Sequence, residues 1–201
     1  MNERSFYRVS LLSMSKREQI LEAGIRLFVE RGLQGTSMSL LAKEANVATG
    51  SVYNYFESKE QLINEIFLYV KKREAEFLLE HYHSQDSYEQ RFKELYRSII
   101  QFMLDNCLYF RFSHLYGLSP VIEDKTREQL LHVFEPFIKL YQEAYNQGVI
   151  RVNTIPDTHI QIYGGFSYFM HWQYLNNQSI DESLVEQMVE FAWAAIKNWN
   201  H

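Results

Sequence analysis

A chain of 201 residues is long enough for one large domain or for two small ones sharing a core. Hydrophobic residues at 46% and aromatics at 15% exclude disordered and collagen-like classes, and only 8 glycines and 3 prolines favour helices over a turn-rich all-β fold. The net charge of −5 is uneven: residues 1–74 carry 11 Lys/Arg against 9 Asp/Glu (+2), and residues 75–201 carry 9 against 16 (−7), so an acidic body follows a mildly basic head.

In chain order, residues 1–14 hold Arg4 and Arg8 without an apolar core or cleavage site, and are expected to be a flexible arm. Ser15 followed by Glu18 fits a capping box opening a helix over 15–32, with Ile20, Ala23, Gly24, Leu27 and Phe28 at helical spacing and Gly32 as its stop. A short helix follows, capped by Ser37 or Ser39, with Leu41, Ala42 and Ala45 inward. Asn46-Val47-Ala48 makes a tight turn, since asparagine tolerates the left-handed conformation. Thr49 is placed to cap a second short helix through Phe56. A long helix is expected from Lys59 to about His83, and Ser84-Gln85-Asp86-Ser87 breaks it from a helix over Tyr88–Cys107. An aromatic segment (Tyr109, Phe110, Phe112, Tyr116) precedes the Gly117–Pro120 punctuation. Residues 121–147 read as one helix bent at Pro136. A brief extended stretch at Val149–Val152 and two last helices, Asp157–Leu175 and Asp181–Asn198, complete an all-α chain of about nine helices.

The paired short helices carry the functional signal. A helix-turn-helix needs small residues where its helices cross and polar ones on the outward face of the second. Ala42 and Ala45 permit close approach, Val47 and Val52 plug the crossing, and Phe56 anchors the end, leaving Thr49, Ser51, Tyr53, Asn54 and Tyr55 near the surface. Hydroxyls and amides of this kind suit phosphate oxygens and base edges. The run from Gly32 to Leu62 closely resembles the TetR family of bacterial transcriptional regulators, in the Leu41-Ala42 pair, Ala45, Val47, Gly50, Tyr53, Phe56 and Ser58-Lys59-Glu60-x-Leu62. The resemblance is specific over about residues 15–65 and architectural beyond. Two departures stand out: Asn46 replaces the family's usual glycine, and Ala48 stands where a serine often caps the recognition helix.

The resemblance implies a DNA-binding head over 15–60 and a helical effector-binding and dimerisation body over 61–201. Carried over by residue, it implies DNA contacts at Ser37, Ser39, Thr49, Gly50, Ser51, Tyr53, Asn54, Tyr55 and Lys59, with Tyr53 and Lys59 on phosphates. In the body it implies an effector cavity, for which Phe102, Phe110, His114, Phe134, Phe137, Tyr141, Tyr163, Phe166, Phe169 and Met170 are the candidates, against the plainer reading of these stripes as core. The 14 tyrosines point to a small apolar or aromatic effector with one or two hydrogen-bonding groups. Gly164-Gly165 in mid-helix costs helix propensity, which a close helix approach compensates. With Trp172, Val185, Met188, Val189, Ala192, Trp193 and Ile196 it fits the two-fold four-helix interface that the resemblance implies.

Other chemistry is scarce. His81 and His83 point to different helix faces, and His114, His132, His159 and His171 lack ligand spacing, so no metal is expected. No phosphate loop, G-x-S-x-G or HExxH is present, so no enzyme activity or cofactor is expected. The single Cys107 excludes an intramolecular disulfide and suits a reducing cytoplasm, and no apolar run approaches the roughly 18–20 residues that span a bilayer. The expectation is a ligand-responsive repressor, homodimeric on palindromic double-stranded DNA. The alternative is a DNA-organising or division-associated protein that uses the same head and answers to a protein partner.

Overall fold

A computed structural model describes residues 14–151 and 155–198, of which 155–160 as helical backbone only. The expected arm therefore lies, except for Met14, outside the described residues. Among the described residues there are ten helices: α1 (Lys16–Arg31), α2 (Met38–Glu44), α3 (Thr49–Tyr55), α4 (Lys59–Glu80), α5 (Tyr88–Asp105), α6 (Cys107–Tyr116), α7 (Asp124–Val133), α8 (Glu135–Asn146), α9 (Ile155–Leu175) and α10 (Glu182–Ile196). The all-α class holds, with one helix more than about nine. Packing groups the chain into two compact units, one reaching Val70 and adding Arg111–Arg127, the other made of Lys71–Phe110 and the residues from Glu128 onward. The first unit thus extends beyond the 15–60 expected of the head.

The first unit starts as its sequence dictates. The Ser15 hydroxyl accepts from the Glu18 amide (3.2 Å) while the Glu18 carboxylate accepts from the Ser15 amide (2.9 Å), which closes the capping box. Gly32, at φ 70°, ends α1. Ile20, Leu21, Ile25 and Phe28 are fully buried. Gly24 is where α1 and α4 approach: a Cβ there would lie 2.5 Å from Ile66 Cδ1. Asn64 on α4 is a buried hub. Its amide nitrogen donates to the carbonyls of Glu60 (2.8 Å) and Val121 (2.9 Å), and its amide oxygen accepts from the Glu123 amide (2.9 Å) and the Thr126 hydroxyl (2.8 Å). Arg127 closes the same loop by donating to the carbonyls of Gly117 (2.7 Å) and Ser119 (3.0 Å).

The second unit is built on α5. Ser87 and Gln90 form a capping box, and Phe92, Leu95, Tyr96, Ile99, Ile100 and Met103 form its buried stripe. Val185, Met188, Val189, Ala192, Trp193 and Ile196 of α10 join the same core. Phe92 stacks on Trp193 (centroids 5.8 Å) and meets Tyr141 edge-on (4.9 Å). Each such side chain contributes about 1.5–3 kcal/mol by leaving water. At the rim, Arg97 holds Glu186 in a two-pronged pair (2.7 and 2.9 Å), and Lys93 reaches Glu190 (2.7 Å). These solvated pairs fix register more than they stabilise.

Several expected boundaries move. Residues 121–147 contain two helices: α7 ends at Val133, and Phe134 takes the N-cap position of α8 without a side-chain hydrogen bond. Pro136 falls in the first turn of α8, where its missing N–H costs nothing, so it starts a helix instead of bending one. The aromatic segment after Cys107 is itself a helix, and the long helix stops at Glu80. Of the extended stretch expected at Val149–Val152, Val152 lies outside the described residues, and Ile150 makes an isolated bridge with Lys197. Asp157 lies inside the first turn of α9, whereas Asp181 does cap α10, accepting from the Leu184 amide (2.9 Å).

Candidate nucleic-acid interface

Ser37 caps α2, its hydroxyl accepting from the Leu40 amide (3.2 Å). The helix closes where the Ala45 amide donates to Leu41 (2.8 Å) and the Val47 amide donates to Ala42 (3.0 Å). Asn46 between them takes φ 54°, the left-handed conformation for which glycine or asparagine is suited. The backbone returns to an extended form at Ala48 (φ −66°, ψ 145°) and α3 begins. The cap position is therefore Ala48, without a side-chain hydrogen bond, and Thr49 is the first helical residue. The expected Thr49 cap is corrected: the turn places the extended residue immediately after Val47, leaving no room to delay the start for a better capping side chain.

Two faces of α3 follow. Val52 and Phe56 are fully buried with Leu41, Ala42 and Ala45, and the Arg17 guanidinium lies over the Phe56 ring at 5.6 Å. Outward, Ser37, Ser39, Thr49, Gly50, Asn54, Tyr53 (54% exposed) and Tyr55 (43%) face solvent, and Ser51 is half-buried. A Cβ on Gly50 would meet nothing, so packing does not demand glycine there. Lys59, expected on a phosphate, is already partly engaged within the fold. Its ammonium donates to the carbonyls of Leu33 (2.7 Å) and Thr36 (3.2 Å), riveting the α1–α2 loop, with one of three N–H donors left over.

The proposed effector residues are placed as follows. Phe102, Phe110, Phe137, Tyr141, Phe166 and Met170 are buried in the core of the second unit, Phe134, Tyr163 and Phe169 pack against it, and His114 belongs to the first unit. The Tyr96 and Tyr141 hydroxyls meet at 2.7 Å, and burial pushes both phenols above their ordinary pKa. Lys71 is buried; burial lowers its pKa, but Glu74 (2.6 Å) and Tyr163 (3.1 Å) outweigh this and raise it above the usual lysine range. A groove of about 470 Å³ in this unit is lined by Glu80, His81, His83, Asp86, Gln90, Lys93, Glu94 and Arg97.

Of the residues assigned to a dimer interface, Gly164, Gly165 and Trp172 are exposed, and the two glycines have open space where a Cβ would go. Val185, Met188, Val189, Ala192, Trp193 and Ile196 are instead consumed by the chain's own core. Also exposed, and not singled out by the sequence reading, are Tyr168 (71%), Leu175 (65%) and Phe191 (74%). The signal was present: 164, 168, 172 and 175 recur at helical spacing along one face of α9.

Residues 20–66 match the family described as bacterial regulatory proteins, tetR family. The HTH-type transcriptional repressor DhaR of Mycobacterium sp. (strain GP1) is 32% identical over 151 residues, which are 70% of this chain and 73% of that protein. The chain belongs to the TetR family. The HTH-type regulator YhgD of Bacillus subtilis (strain 168) is 43% identical over 56 residues, 28% of this chain and 29% of its own. The crystal structure of a tetR family transcription regulator from Shewanella sp. PV-4 superposes with a TM-score of 0.83 at 26% identity, covering 92% of this chain and all of that one. As a TetR-family member the chain is a DNA-binding transcriptional regulator. Among its described residues no helix is long and apolar enough to cross a membrane.

Proposed function

We propose that the chain is a ligand-responsive repressor that acts as a homodimer on a palindromic operator. The observation that carries the reading is the exposed polar face of α3, held outward by the Asn46 turn and the buried Val52 and Phe56. On this reading Tyr53, Tyr55 and the spare donor of Lys59 hold phosphates, while Ser37, Ser39, Thr49, Ser51 and Asn54 lie at phosphates or base edges and Gly50 lets the backbone come close. The second unit holds the effector. The homodimer forms on the exposed face of Gly164, Gly165, Tyr168, Trp172 and Leu175 on α9 with Phe191 on α10, whose exposed aromatic side chains suit an interface. A two-fold dimer presents two recognition helices to half-sites one helical turn apart, which a palindrome supplies.

The test is Tyr53→Ala, assayed by gel shift on a duplex selected from a random pool with the parent protein. Because the ring is half exposed, the variant keeps its melting temperature and oligomeric state while losing about tenfold in affinity, the value of a phosphate contact plus ring packing. Unchanged affinity with an intact dimer removes Tyr53 from the interface. Failure of the parent to select any palindrome removes the operator reading.

A further inference from the structure

The core of the second unit contains two polar functions that its own side chains leave unspent. Tyr96 and Tyr141 are 1% and 3% exposed, and their hydroxyls bond to each other. Two phenols carry two O–H hydrogens, and a mutual hydrogen bond uses one. Among the described residues neither hydroxyl has another partner, so one O–H remains without an acceptor inside an aromatic cage of Phe92, Phe166 and Trp193. The second function is on α9. Gln173 is 5% exposed, and its side-chain oxygen has no donor among the described residues. A buried polar group without a hydrogen-bond partner is costly enough that folded chains rarely keep one, let alone two of opposite sense in one unit.

The helix sets their spacing. Phe166 meets the Tyr96 ring edge-on at 6.1 Å, so this face of α9 points to the tyrosine pair. Gln173 is seven residues on, on the same face and about 10 Å further along the axis. Met170 sits between them, buried in the same core. Methionine is the side chain that repacks most readily around a new neighbour.

We propose that the Tyr96–Tyr141 pair and Gln173 are the two polar ends of the effector site, and that the effector is an elongated apolar molecule with an acceptor oxygen at one end and an O–H or N–H donor at the other. This rests on the reading of the second unit as ligand-binding. The ligand's carbonyl or ether oxygen takes the spare phenolic hydrogen, its donor satisfies the Gln173 oxygen, and its apolar middle displaces Met170 along α9.

The full-length protein is titrated calorimetrically with three probes of similar frame: 4-hydroxychalcone, with both polar groups; chalcone, with the ketone alone; and trans-stilbene, with neither. The parent is expected to rank them in that order. Tyr96→Phe/Tyr141→Phe should lose about tenfold for both chalcones and nothing for stilbene, and Gln173→Leu should lose up to about tenfold for 4-hydroxychalcone alone. Equal affinities for the three probes, losses that extend to stilbene, or no binding of any probe overturn the proposal. A ligand-free measurement adds a second check. The double variant removes the stranded donor with its partner and should melt at or above the parent, whereas Tyr96→Phe alone strands Tyr141 and should melt lower. A double variant that melts several degrees below the parent shows that the pair is fully spent in the fold, and overturns the site. Operator affinity separates the two readings. If it ignores 4-hydroxychalcone although the probe binds as expected, the ligand-responsive reading fails and the site stands. If it responds equally in parent and double variant, that reading stands and the site fails.

Discussion

Replacing Asn64 by alanine should weaken the first unit more than any other single polar substitution in it. The side chain is 5% exposed and makes four hydrogen bonds of 2.8–2.9 Å. The one to the Glu60 carbonyl returns to the helix's own backbone, which already uses that oxygen, so little is lost there. The other three tie Val121, Glu123 and Thr126 to α4, each worth about 1 kcal/mol net. Thr126 is itself buried, so its hydroxyl is left dry and adds to the cost. The expected loss is about 3 kcal/mol, rising toward about 5 if no water enters. For a chain of this size that lowers the melting temperature by roughly 6–12 °C. Urea unfolding gives the free energy directly, and amide exchange at Glu123 reports whether the loop has come loose. A loss below about 1 kcal/mol with unchanged protection at Glu123 would refute the assignment of Asn64 as the hub.

Ala48→Ser supplies the capping oxygen that α3 lacks and should stabilise the chain by about 0.5–2 kcal/mol in the same urea assay; no gain would mean that the Asn46 turn holds the cap residue where its side chain cannot reach back. Phe191→Glu puts a charge on the exposed aromatic face without touching the core, so sedimentation should show monomer with an unchanged far-ultraviolet helix signal, and a persistent dimer would move the interface elsewhere. The Arg97 guanidinium, through its hydrogen bonds, holds the Glu186 carboxyl below the usual glutamate range. The pair's stabilisation is thus present above the pKa of an unfolded glutamate and is lost as pH falls through the lower folded value. Glu186→Gln should therefore melt slightly below the parent near neutral pH, with the gap closing below about pH 4. A gap that persists in acid assigns the effect to packing instead.

The helix-turn-helix was legible because its determinants are local. Ser15 with Glu18, Gly32, Ser37 and Asn46 each act within four residues of the backbone they shape, so the chain order shows them directly. Ala48 was misread because the helix start follows from the turn before it, which overrides side-chain preference. The break at Phe134 was misread because Pro136 is as compatible with a first turn as with a kink, and spacing does not distinguish them. The interface assignment divided along helix faces. Periodicity identified the apolar residues of α10, but which face meets α5 and which remains outside depends on tertiary packing. Val189 and Ala192 went to the core, and Phe191 between them stayed in solvent. Lys59 illustrates the same limit, since the Leu33 and Thr36 carbonyls reach its ammonium only once the loop is folded.

The excursion of Arg111–Arg127 into the first unit has a consequence for recombination with relatives. A chimera cut at residue 60 would part Asn64 from the α1–α3 bundle and marry it to a foreign one, while the loop that Asn64 anchors would still come from the original body. A cut at residue 70 would import a foreign α4 and leave Val121, Glu123 and Thr126 facing whatever residue stands at position 64. DNA specificity is therefore not a cassette that one crossover can move. Transplanting it intact takes two exchanged segments, and the second lies more than forty residues downstream of the first.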